Sequence, residues 1–149
     1  MFEYINKILP KQKREQATGN REYKIYLDLE KEPNKEIKKK QDLPARELNF
    51  LRKIKLEKKI NKRASQLRYR LEEGHGRALY MIGIKDDGTP EGIKMEKLFK
   101  SLSFLFKMVD IIHATIKNIR IYLGNLEDTY VFTARIEIPN YIPKQLVSI

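Results

Sequence analysis

LEKKINKRASQLRYRLEEGHGRALYMIGIKDDG, residues 56–88, changes its apolar period halfway along, and that change decides the fold. Leu56, Ile60, Ala64, Leu67 and Leu71 recur at helical spacing and form one stripe of an amphipathic helix. Gly74 stops the run. Residues 78–85, ALYMIGIK, are then almost continuously apolar, which fits a well-buried strand. Asp86, Asp87 and Gly88 follow as a turn, with Gly88 suited to positive φ.

Upstream of this stretch, Asp42 can cap the helix, Pro44 suits its first turn and Glu47 follows early. A helix over 44–73 would be about 45 Å long at ~1.5 Å per residue. That exceeds the diameter of a small domain, so part of it is expected to project, with a break near Asn49. Residues 22–29, EYKIYLDL, alternate as a half-buried strand, with Tyr23, Ile25, Leu27 and Leu29 on one side. Residues 30–42 read as a polar loop. Residues 1–20 read as a basic extension, a short helix and then a tether, outside the domain proper.

Downstream, Leu98, Leu102, Leu105, Val109 and Ile112 give a second helix over 95–114, and Phe99, Phe106 and Met108 are expected to widen its buried stripe. Residues 119–123 and 130–138 read as two strands closed by the GNLEDT hairpin, and 139–149 as an irregular tail. The order is β-α-β-α-β-β. Each helix needs a sheet to cover its stripe, so the expected fold class is α/β (α+β). One domain over 21–138 would then hold a mixed four-stranded sheet with two helices on one face. That order is also similar to the C-terminal domain of initiation factor three and to the Alba fold.

Composition narrows the function. The chain has 149 residues, a formal net charge of +11 and no cysteine, which excludes disulfides, thiolate metal sites and cysteine nucleophiles. No window is apolar for long enough to span a bilayer, and the N-terminus lacks a signal-peptide core, so the expected setting is soluble and cytoplasmic. The charge is uneven. Residues 1–40 carry +4, 41–73 carry +5 and 74–149 only +2. Such a surface attracts polyanions, nucleic acid first among them.

Within the first helix the run 52–70 carries Arg52, Lys53, Lys55, Lys58, Lys59, Lys62, Arg63, Arg68 and Arg70, with only Glu57 opposing them. Side chains of this length reach phosphates across an RNA groove and give affinity that is salt-dependent and blind to sequence. Lys38, Lys39 and Lys40 in the loop, and Lys11, Lys13 and Arg14 in the extension, are candidate basic arms. His75 and Arg77, around the Gly74–Gly76 pair, complete the candidate RNA-binding set. Tyr26, pointing away from Tyr23, is the best stacking candidate. His113 reads as core or helix-terminal. Asp86 and Asp87 read as turn residues.

Two stretches resemble a known family: GNREYKIYL at 19–27 and SQLRYRLEEGHGRALYMIGIKDDGTPEGI at 65–93. The glycine-led strand, the Gln-basic-aromatic-basic-Leu helix end, the Gly-x-Gly and the aromatic-x-Ile-Gly strand entering Asp-Asp-Gly occur in order. Together they are similar to the region ahead of the GTPase domain in the eukaryotic GTP-binding proteins one and two, translational GTPases linked to ribosomes. The likeness spans roughly residues 19–138. The sequence carries no G-x-x-x-x-G-K-[ST] loop, so GTP hydrolysis does not carry over.

The resemblance and the charge together imply a non-catalytic factor on the ribosome. It would occupy an rRNA-lined site and regulate, stabilise or inhibit the particle, as a hibernation factor does. Its expected partners are ribosomal RNA and ribosomal proteins, with tRNA a further candidate. No cofactor, metal or membrane is expected, and the chain is expected to be monomeric. Two alternatives stand beside this reading. One is a metal-dependent nuclease using Asp86, Asp87, Glu72, Glu73 or Asp110, which show no recognisable metal spacing. The other is a DNA-binding or adaptor protein.

Overall fold

A computed structural model describes residues 2–27 and 44–142. Along the chain the elements are β1 (Phe2–Ile8), β2 (Arg21–Lys24), α1 (Ala45–Glu73), β3 (Arg77–Ile82), α2 (Met95–Ile111), β4 (Thr115–Leu123) and β5 (Tyr130–Glu137). They form one five-stranded sheet in the order β1-β4-β5-β3-β2. β1 runs parallel to β4 and β2 parallel to β3, while central β5 is antiparallel to both β3 and β4. The α+β class and the pair of helices agree with the sequence pattern. The fifth strand does not, and it removes the boundary expected near residue 20.

β1 stands where a short helix was expected; Phe2, Ile5 and Leu9 do sit near helical spacing, so the local sequence permits either form. A short strand gains little from its own sequence. What decides here is the open side of β4, whose Ile119 to Leu123 pair with Phe2 to Ile8. Other boundaries move less. The first strand of the motif is Arg21–Lys24, and α1 is continuous through Asn49. The readings on residues 28–43, including Lys38, Lys39, Lys40 and the Asp42 cap, lie outside the described residues, as does the tail beyond residue 142.

Alternation on the strands builds two cores. Ala78, Tyr80 and Ile82 of β3, Phe132, Ala134 and Ile136 of β5, and Ile116 and Ile119 of β4 meet the stripes of α1 and α2. On the opposite face Leu9, Tyr23, Met81, Ile84 and Val131 form a smaller cluster. This cluster explains why β3 reads as continuously apolar: it is covered on both sides. The cover on that side is the strap, residues 9–20, which crosses from the end of β1 to the start of β2. Gln12 N–H donates to Gly88 O (2.9 Å) and Glu15 N–H to Asp86 O (2.8 Å). Gly88 has φ +92°, and a Cβ there would lie 2.0 Å from Gln12 O. The turn expected at Asp86–Gly88 is therefore also the strap's anchor.

On α2 the apolar stripe is as read for Leu98, Leu102, Leu105, Met108 and Val109. Phe99 and Phe106 are instead exposed. They lie on the flank of α2 away from α1, where no helix covers them.

Candidate nucleic-acid interface

α1 divides into two halves. Its buried residues are Ala64, Leu67, Arg70 and Leu71, all in the C-terminal third. Before Ala64 no residue of the helix is buried, so residues 45–63 extend past the core, as the length argument anticipated. Leu56, placed on the stripe, is exposed, and Ile60 is half-buried at the point where the helix leaves the core.

The basic residues sort along this line. Arg52, Lys53, Lys58, Lys62 and Arg68 are exposed, and Lys55, Lys59 and Arg63 are half-buried. The Lys59 ammonium lies 5.9 Å from the centroid of the Phe104 ring, a cation–π approach that ties it to α2. Arg63 donates to the Gln66 side chain at 3.2 Å. Arg46, which the sequence reading left out, is exposed beside Phe50 and Lys53 in a shallow hollow at the tip of the helix.

Arg70 does not join this face. It is 4% exposed and its guanidinium points under the strap. Nε donates to Glu22 Oε1 at 3.0 Å, Nη1 to the carbonyls of Thr18 (3.1 Å) and Gly19 (2.9 Å), and Nη2 to that of Gln16 (3.0 Å). Glu15 lies 3.8 Å away. With every edge of the fork engaged, Arg70 is a structural clasp. Its position at helical spacing from Leu67 and Ile60 was the available signal.

The strap itself is ordered, where a mobile tether was expected. Lys11, Lys13, Arg14 and Arg21 line an open pocket with Gln12, Gln16 and Tyr23. Arg21 is a further basic residue of this site that sequence reading missed. The alternation that buries Glu22 could have shown it pointing out. Among the described residues Lys13, Arg14 and Arg21 form no ion pair.

His75 and Arg77 are both exposed, but each has a local role. His75 has φ +53°, while the N–H of Gly76 reaches Leu71 O at 2.7 Å and that of His75 reaches Glu72 O. This is a Schellman stop in which a histidine takes the left-handed position. Gly74 is required for another reason: a Cβ would meet Arg77 O at 1.8 Å. α2 ends the same way, with His113 at φ +57° and Ala114 N–H on Val109 O (3.0 Å). That is the helix-terminal role expected of it. Arg77 lies 3.8 Å from Glu137. Tyr26 has the Lys97 ammonium 3.8 Å over its ring, so that face is already taken.

Among the described residues no group of three or more His, Asp or Glu side chains could hold a metal ion. No helix of the described residues is long and apolar enough to cross a membrane. Asp87 accepts the Thr89 N–H at 2.9 Å, and the Thr89 side chain together with this N–H draws its carboxyl below the usual value.

A 56-residue stretch, 38% of the chain, is 38% identical to GTP-binding protein 2 of Mus musculus and of Homo sapiens. The chain thus shares a short region with that protein. It spans 9% of the length of these relatives. A 59-residue stretch, 39% of the chain, is 36% identical to an uncharacterized protein of Acanthamoeba polyphaga mimivirus and covers 32% of it. No family model matches the chain. No solved structure matches it either.

Proposed function

We propose that this domain binds ribosomal RNA through the projecting half of α1 and acts by occupying its site in the cytoplasm, without turnover. The observation that carries the reading is the separation of duties along one helix. Residues 64–71 hold every fully buried side chain of the helix, while residues 45–63, half-buried at most, present Arg52, Lys53, Lys58 and Lys62 to solvent. A rod of cations held clear of the core can lie along a phosphate backbone with little rearrangement. The strap pocket, with Lys11, Lys13, Arg14 and Arg21, offers a second anionic contact. The partial similarity to GTP-binding protein 2 and the resemblance to the region ahead of its GTPase domain favour a ribosomal partner over DNA.

The test is co-sedimentation with ribosomes across a salt series. The wild type is expected to pellet at low salt and to release as salt rises. Each phosphate contact removed should flatten the log–log slope by about 0.9 on a duplex. Glutamine at Arg52, Lys53, Lys58 and Lys62 together is expected to abolish pelleting at physiological salt. Unchanged pelleting and an unchanged slope in that folded variant would reject the reading. Tighter binding to duplex DNA than to ribosomes would reject the ribosomal partner alone.

A further inference from the structure

β1 leaves one long side of the sheet open, and the side chains along that edge are apolar. Phe2 and Tyr4 pair with Ile119 and Ile121, and Ile8 with Leu123, so all three share the helix-covered face. The helices stop short of them. Among the described residues α1 packs on β3 and α2 on β4 and β5, and neither helix packs comparably on β1. Phe99 and Phe106, seven residues apart, sit two turns from each other on one side of α2. Phe104 on its other side meets Lys59 of α1. The aromatic flank of α2 therefore looks over β1. Phe2, Tyr4 and Ile8 on β1, and Phe99 and Phe106 on α2, are each 44–59% exposed.

An open edge normally carries features that discourage pairing, such as lysines and bulges. β1 has one lysine, Lys7, and an irregularity between Ile5 and Ile8. Its sequence, FEYINKI, is also complementary to itself when reversed about Ile5. In that register Glu3 faces Lys7 of the other copy, twice by symmetry, and Phe2 faces Ile8 on the helix-covered side. Like charges meet nowhere along the seven residues. Within each copy Glu3 also lies 3.8 Å from Arg120 of β4, so the pairing places its carboxylate between two cations.

We propose that β1 pairs antiparallel with β1 of a second copy about a two-fold axis at Ile5. This joins two sheets into one of ten strands and covers the apolar edge of each copy. The occupant is another copy of this chain, because the edge's charge pattern matches itself. A dimer replaces the monomer expected from composition. It presents two projecting α1 helices related by the axis.

The test is sedimentation velocity on nuclease-treated protein at high salt, where bridging RNA cannot imitate association. The wild type is expected to shift from monomer to dimer with a micromolar-range midpoint. Glu3→Lys and Lys7→Glu should each weaken association about tenfold, since each places two like-charge pairs across the axis. The combined exchange Glu3→Lys, Lys7→Glu and Arg120→Glu, which also keeps the ion pair within each copy, should restore it. Phe106→Asp, on the exposed flank, should also weaken it. A monomer up to about 200 µM, near which a dissociation constant marks only weak binding, overturns the proposal. So does a dimer that the exchanges leave unchanged, or one that the combined exchange fails to rescue.

Discussion

Replacing Arg70 with methionine keeps much of the side chain's volume and removes its charge and five donors. The cost follows from what is left behind. Glu22 is a buried carboxylate whose only other cation among the described residues is Lys24, 3.4 Å away on its second oxygen. Stripping one partner from a buried pair costs about 3–5 kcal/mol. The carbonyls of Gln16, Thr18 and Gly19 lie in exposed residues and can turn to water, which keeps their share small. The expected loss is therefore at the lower end, about 3 kcal/mol, or about 10 °C in Tm for a domain of this size. Urea denaturation measures it, and Glu22→Gln completes the cycle. The double variant should be more stable than the sum of the singles implies by about 1–2 kcal/mol, because the stranded carboxylate is gone. Proteolytic cleavage within 16–20 should appear in Arg70→Met and be slow in the wild type. A loss below about 1 kcal/mol, or strict additivity, refutes the clasp. So does a folded Arg70→Met variant whose RNA affinity falls as steeply as that of the α1 surface variant.

Three smaller outcomes follow from backbone geometry and burial. His75→Gly and His113→Gly should each stabilise the fold by about 0.5–1 kcal/mol in chemical denaturation, since both positions hold a left-handed φ that glycine adopts without strain. Gly88→Ala should cost about 2 kcal/mol or more and release the strap, read as faster amide exchange at Gln12 and Glu15. Burial, helped by the neighbouring Glu22 carboxylate and opposed by the Tyr23 N–H bond, raises the Glu15 carboxyl above its usual 4.5. The folded state then holds a proton that the unfolded chain has lost, so stability should fall as pH climbs from about 4.5 through the raised value. Glu15→Gln should flatten that slope in a pH series of urea midpoints.

The class of fold was legible because the second half of the chain obeys local rules. Leu67 and Leu71, the Gly74 stop, the Asp86–Gly88 turn and the alternation of Phe132, Ala134 and Ile136 each imply one structure regardless of context. β1 was not legible, because its sequence permits helix or strand and the choice rests on an edge more than a hundred residues away. Phe99 and Phe106 misled for a related reason. Composition places them with the core, but the stripe of α2 is narrower than its aromatic content. In the candidate site, exposure followed helical phase for Lys58, Lys62 and Arg68. Arg70 shares the buried phase of Leu67, but what its guanidinium would meet there was not legible, because the strap that folds over α1 is a long-range event.

The same clasp makes the two halves of α1 separable by experiment. Arg70 and Leu71 fix the C-terminal end of the helix to the sheet and the strap. Residues 45–63 then inherit their direction mainly from that end, since beyond the contacts of Ile60 and Lys59 they add no fully buried side chain. Most substitutions at exposed sites away from special features shift stability by less than about 0.5 kcal/mol. Neutralising Arg52, Lys53, Lys58 and Lys62 should therefore leave the urea midpoint in place while affinity for polyanions drops. Loosening the clasp should do the reverse at first: it lowers stability, and weakens binding only as the unfolded fraction grows. A helix whose cations served mainly to hold the fold together would show both effects at once, whichever end was changed. The two profiles cannot be exchanged for one another, so the pair of measurements decides whether the projecting cations exist for a partner.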